Sequence, residues 1–164
     1  HFSLQLPVVS EMIKKVVVQI DDFDVNKETA FLVDISKEVG GINTFLGTVR
    51  DVNEGDTVTG LRLEHYPGMT EKQIHAIIDR ASSRWSVLGA VVIHRVGDLQ
   101  PGEKIVFVGI ASKHRGDAFR ACEYVMDSLK TEATFWKKEV TEGEARWLTT
   151  RQTDVEALNK WQVD

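Results

Sequence analysis

Two apolar spacings alternate along this chain. Ile74, Ile77, Ile78, Ala81 and Trp85 stand at i, i+3, i+4, i+7 and i+11, which predicts an amphipathic helix, with Thr70 and Gln73 spaced as a capping box at its start. Ala118, Phe119, Cys122, Val125, Met126 and Leu129 predict a second, ending near Lys130 or Thr131. Between them, Gly89–Val96 and Lys104–Ser112 are β-rich runs joined by the turn-forming residues 98–102, the signature of a hairpin. Upstream, the pattern predicts a strand over Lys15–Ile20, a helix over Asn26–Glu38 capped by Asn26 and ended by Gly40-Gly41, and a buried strand over Ile42–Val49. A polar loop follows over Arg50–Thr57, turning at Glu54-Gly55-Asp56, and then a strand over Val58–Tyr66 that Pro67-Gly68 breaks. The last elements are short strands over Phe135–Val140 and Arg146–Thr149 around Glu142-Gly143, and a terminal helix over Asp154–Trp161. Hairpins among intermixed helices argue against a purely parallel sheet. The expectation is an α+β fold with a mostly antiparallel sheet and two main amphipathic helices.

Length and composition narrow this picture. A chain of 164 residues, 42% hydrophobic, fits one domain at the usual ~100–200 residues each. That single domain is expected over 12–164, since residues 1–11 precede the first methionine, Met12, and read as a leader or an expression remnant. The net charge of −5 argues against a nucleic-acid partner, because phosphate-backbone binding draws on many lysines and arginines. No apolar run reaches the ~20 residues a membrane-crossing helix needs, so no membrane partner is expected. The one cysteine, Cys122, excludes an internal disulfide and a cysteine-based metal cluster. Its place on an apolar helical stripe reads as packing, and the usage suits a reducing cytoplasm. The phosphate loop, the dinucleotide turn, the nucleophile elbow and the zinc-protease histidine pair are all missing. The histidines have no ligand spacing, so no metal is expected.

What remains is a set of cations at element ends. Lys130 and Lys137 lie seven residues apart around Phe135-Trp136, where a helix gives way to a strand. His114-Arg115 follows a strand and opens a helix, whose free N–H groups and partial positive charge favour phosphate or carboxylate; a solvated basic turn reads equally well. Arg50 either enters a cleft or caps a sheet edge. Lys130 also suits an ordinary helix C-terminus, and Lys137-Lys138 also suits a guarded edge strand.

Taken together, Thr44 through Arg50 (TFLGTVR), Leu63 through Met69 (LEHYPGM), Ile93 through Gly97 (IHRVG), Ser112 through Arg115 (SKHR) and Lys130 through Lys137 (KTEATFWK) resemble, in order and spacing, the large subunit of the molybdopterin synthase family. The resemblance covers about Gly41 to Arg151. It implies an α/β hammerhead-type fold and a homodimer within a heterotetramer. It further implies a small ubiquitin-like sulfur-carrier partner whose C-terminal Gly-Gly tail ends in a thiocarboxylate. The implied reaction inserts two dithiolene sulfurs into cyclic pyranopterin monophosphate, with no permanently bound cofactor. Position by position, the resemblance makes Lys130 and Lys137 catalytic and gives Arg50, His114 and Arg115 to the substrate. Thr48, Val49, Lys138 and Glu139 border them. Phe45, Met126 and Arg151 are candidates for the pocket or tail channel, against core packing for the first two. Thr48 departs from a common lysine and Thr134 from a frequent proline. Two other functions fit the same cations: a non-catalytic adaptor for a ubiquitin-like protein, and a phosphodiesterase-type enzyme.

Overall fold

The hairpin predicted over the middle of the chain is the centre of the molecule in the computed structural model, which describes residues 12–53, 56–141, 144–148 and 152–162. Strands β5 (Gly89–Arg95) and β7 (Lys104–Ser112) pair antiparallel, from Gly89 opposite Ala111 to His94 opposite Val106. β1 (Ile13–Gln19) adds parallel to β5, and β2 (Gly41–Thr48) antiparallel to β7, giving the order β1-β5-β7-β2. Strand alternation sends Ala90, Val92, Val106, Val108 and Ile110 to one face, where they pack with α2 (Met69–Arg84) and α3 (Arg115–Glu132). Val91, Ile93, Phe107 and Ala111 go to the other face, covered by Phe23 and by Leu32 of α1 (Val25–Val33). Covered on both sides, β5 is buried at every residue, which is why its sequence is apolar without alternation.

A second sheet runs in the order β3 (Val52–Asn53), β4 (Asp56–His65), β8 (Phe135–Thr141), β9 (Glu144–Leu148), all antiparallel. The connection between β5 and β7 contains a short strand, β6 (Gly97–Leu99), that pairs with β4. The hairpin loop thus ties the two sheets together, and Gly97 turns into it at a φ of 91° that other residues rarely adopt. A small cluster of Val49, Leu63, Val96 and Leu99, with Phe135 against it, fills the join. α4 (Gln152–Asn159) and a 3-10 turn (Lys160–Gln162) close the chain, with Trp161 packed edge-on against Trp85 and Tyr124.

The α+β architecture with mainly antiparallel sheets agrees with the sequence reading; several boundaries do not. α1 is capped by Asp24, not Asn26: the Asp24 carboxylate accepts from Asn26 N–H at 2.9 Å and Lys27 N–H at 3.3 Å. It stops at Val33, well short of Glu38. β2 is an edge strand rather than a buried one, with Thr44, Phe45, Leu46 and Thr48 exposed. Phe119 is 61% exposed, because Ala118 takes the core-facing place in that turn of α3. Thr70 and Gln73 do not form a capping box; the Gly68 N–H donates to the Glu71 carboxylate at 2.6 Å instead. The turn residues 54–55 and 142–143 lie outside the described residues.

Candidate active site

A two-residue link joins the end of α3 at Glu132 to the start of β8 at Phe135, and Lys130 and Lys137 meet across it. The register of β8 on β4 sets Phe135 opposite His65, Lys137 opposite Leu63 and Glu139 opposite Leu61, so these side chains share one face. Trp136 and Lys138 point the other way, Lys138 opposite Arg62. Lys138 is therefore not brought beside Lys137, although the two are adjacent in sequence. Glu139 is buried on the lysine's own face.

Lys130 is exposed at its helix end, whereas Lys137 is largely withdrawn from water. That desolvation, followed by the charge of Lys130 and its amine in hydrogen-bonding range, lowers the Lys137 pKa from 10.5 to about 8; Asp154 on α4 pulls the other way. At pH 7 a lysine titrating near 8 is neutral about a tenth of the time, against about three in ten thousand for an unperturbed one. The pair can thus offer an amine that takes a proton and an ammonium that holds an anion.

Behind it stands His94 of β5. Its ring stacks on Phe135 with centroids 3.9 Å apart, and its Nδ1 lies 2.8 Å from the Arg95 carbonyl. A carbonyl only accepts, so Nδ1 carries the hydrogen. Burial drives the His94 pKa down to about 3, with Lys137, Lys130 and His65 adding like-charge repulsion. His94 is consequently neutral, with a bare Nε2. His65, on the face shared with Lys137, pairs with Glu71 at 3.3 Å.

The anion-binding residues proposed from sequence separate into two groups. His114 is the N-cap of α3 and Arg115 its first residue, both exposed. Lys130 is fifteen residues further along the same helix, about 22 Å at ~1.5 Å per residue. β2 starts at the same corner as His114, since a methyl on Gly41 would lie 3.3 Å from Arg115 Cα. Seven strand steps carry β2 about 23 Å to Thr48, alongside α3. Thr48, Val49 and Arg50 therefore come to the lysine end, while His114 and Arg115 stay at the far end. One chain does not gather all of these cations in one cleft, because a straight helix keeps its two ends apart.

The remaining candidates divide between surface and core. Thr48 is exposed, at a bulge in the β2–β7 ladder. Val49 is buried in the cluster that includes Leu63, so its side chain packs rather than lining an open pocket. Phe45 is 43% exposed on the α3 face of β2, opposite Val108. Met126 is a core residue. Arg151 lies outside the described residues. Cys122 is buried, and burial pushes its thiol up to about 12, in keeping with a packing role. The sequence reading missed His94, Asp154, Thr70 and Gln73, all of which reach the lysines or their link through pairings far apart in the chain. Among the described residues no cluster of three metal-ligating side chains occurs, and no helix is long and apolar enough to cross a membrane.

Fold and site define a small α+β protein with a pair of interacting lysines at a helix-to-strand junction. Residues 18–132 match the family model described as MoaE protein. A curated relative from Ralstonia nicotianae, a molybdopterin synthase catalytic subunit, is 52% identical over 146 residues, covering 89% of this chain and 83% of that protein. The solved MoaE protein of molybdopterin biosynthesis from Burkholderia ambifaria superposes with a TM-score of 0.80 at 46% identity, covering 93% of this chain and all of that one. The same fold recurs at a TM-score of 0.64 and 20% identity, over 84% of this chain and 91% of that one, in a complex of subunits 1 and 2 of the molybdopterin-converting factor from Helicobacter pylori. The chain belongs to the MoaE family.

Proposed function

We propose that this chain is the catalytic subunit of a molybdopterin synthase, a sulfurtransferase that turns cyclic pyranopterin monophosphate into molybdopterin by inserting two dithiolene sulfurs. Sulfur arrives as the thiocarboxylate at the C-terminal Gly-Gly of a small ubiquitin-like partner. No permanently bound cofactor is required, and the setting is the cytoplasm. The observation that carries this reading is the coupled pair Lys130–Lys137, with one amine held near 8. The name of the relative from Ralstonia nicotianae supports the reaction. The two-subunit complex that shares the fold supports the partner.

The reacting groups are a sulfur anion and a phosphate-bearing pterin, so two negative charges must be brought together in a place poor in water. The Lys130 ammonium and the Arg50 guanidinium offset that repulsion, and the Lys137 ammonium, a stronger acid than an ordinary lysine's, gives a proton to the oxygen that departs as the sulfur attacks, leaving a neutral amine. Glycine suits the delivering tail because its backbone passes where a side chain would not. His114 and Arg115 belong to the far end of α3, so they serve a lysine pair only across a two-fold dimer, each protomer completing its partner's site.

Reconstitution tests the whole reading. Purified chain, thiocarboxylated partner and pterin precursor should yield the dithiolene product by mass spectrometry. Lys130→Ala and Lys137→Ala should each stop it while leaving the circular dichroism spectrum intact. Turnover without the partner would favour a phosphodiesterase, and binding without product in the wild type an adaptor.

A further inference from the structure

Both backbone polar groups of Thr134, midway between the two lysines, are held by α2. The Thr134 N–H donates to Gln73 Oε1 at 2.8 Å, and its carbonyl accepts from Thr70 Oγ1 at 2.8 Å. Thr70 is completely buried, and its hydroxyl also accepts from the Tyr66 N–H at 3.0 Å. These contacts are not needed to start α2, because Glu71 already takes the Gly68 N–H. A helix-to-strand link has N–H and carbonyl groups that belong to neither ladder and would ordinarily turn to water. Here they are fastened to side chains more than sixty residues away in sequence.

We propose that Thr70 and Gln73 are positioning residues for the lysine pair, clamping the Thr134 peptide so that Lys137 is held against Lys130. Two like charges drift apart unless the chain between them is restrained. The two-residue link, Ala133 and Thr134, is free to relax if the Thr134 peptide is released. The clamp deepens the reading of the pair as reacting amines and rests on it for its purpose, but its existence is testable without turnover. The groups facing Lys137 are Lys130 from α3, His94 from β5, His65 from β4, Asp154 from α4 and Glu139 on its own strand. Substitution at 70 or 73 changes none of them.

The test uses the full chain with its lysine amines labelled by 13C reductive methylation, the Lys137 signal being assigned by its loss in Lys137→Arg. Its titration near 8 in the wild type should move up toward 10.5 in Gln73→Met, which keeps length and loses the acceptor, and in Thr70→Val, which keeps shape and loses the hydroxyl. Thr70→Ser should restore the wild-type value. Ala133 sits at φ −84° and ψ 133°, the conformation favoured before a proline. Thr134→Pro should therefore rescue Gln73→Met, since a ring fixes the backbone and has no N–H to satisfy. In the reconstituted synthase, kcat of Gln73→Met should fall about tenfold with KM nearly unchanged, as misplaced catalytic groups do. An unmoved Lys137 titration in folded Gln73→Met overturns the clamp, and Thr70→Val supplies a second reading if it folds. A shifted titration in a wild-type protein that makes no dithiolene would keep the clamp and remove the synthase.

Discussion

Replacing Lys130 by methionine should make the protein more stable while abolishing its chemistry. The depression of Lys137 from 10.5 to about 8 corresponds to about 3 kcal/mol at ~1.4 kcal/mol per unit, the cost of keeping that ammonium charged in the folded state. Desolvation is the larger part and the Lys130 charge the next, which assigns on the order of 1 kcal/mol to the neighbour. Lys130 is exposed, and methionine keeps its alkyl stem, so little packing is lost. Between about 8 and 10.5 the unfolded chain holds more protons than the folded one, and stability climbs with pH; below about 8 both hold the proton and the full penalty stands. Lys130→Met should therefore melt higher at pH 7, by roughly 2–4 °C for a chain of this size, with the gain fading as pH rises above about 8, where Lys137 loses its proton in the folded state. Thermal denaturation of both proteins across that range is the assay. A variant that melts at or below the wild type at pH 7, or whose advantage is the same at both ends, would refute the coupling.

Three further outcomes follow from the geometry. If each site joins the lysine end of one chain to the arginine end of another, mixing inactive Lys137→Ala with inactive Arg115→Ala subunits under exchange should restore about a quarter of wild-type turnover, because half the dimers are mixed and each has one intact site; no recovery would place all the groups in one chain. His94 binds its proton far more weakly folded than unfolded, so it withdraws stability as pH falls from 6.5 toward 3. His94→Phe should flatten the acid limb of a melting curve plotted against pH, at a cost of about 1 kcal/mol at neutral pH for the lost hydrogen bond to the Arg95 carbonyl. Trp161→Ala removes two edge-on aromatic contacts and the indole N–H bond to Asp127, and should cost about 2–3 kcal/mol in urea unfolding.

Local signals in the chain reported local structure well. The isoleucine stripe of α2 and the two runs of the β5–β7 hairpin are legible because each is fixed by residues within one or two turns of itself. The lysine pair was legible for the same reason: only a short link parts the two elements that carry it. What could not be read is set by pairing over distance. Strand alternation alone turns Lys138 away from Lys137, but nothing near either lysine reveals that β8 lies on β4, which sets Lys137 beside His65 and Leu63. Thr70 and Gln73 have cap spacing and use it for another purpose, on a peptide more than sixty residues on. β2 looks buried from its composition, but a strand's apolarity does not say whether it ends up at an edge. The separation of Arg115 from Lys130 was present in the helix length all along, yet a shared role suggested a shared place.

The deeply buried Cys122 bears on how such an enzyme would survive its own reagent. A thiolate that attacked the tail's thiocarboxyl carbon would take the acyl group as a thioester and expel the sulfur as sulfide, and a thiol held near 12 presents almost no thiolate at neutral pH. A carrier tail threading toward the lysines would meet no competing thiolate among the described residues, so no protein thiol would strip the sulfur from it before it reaches the pterin.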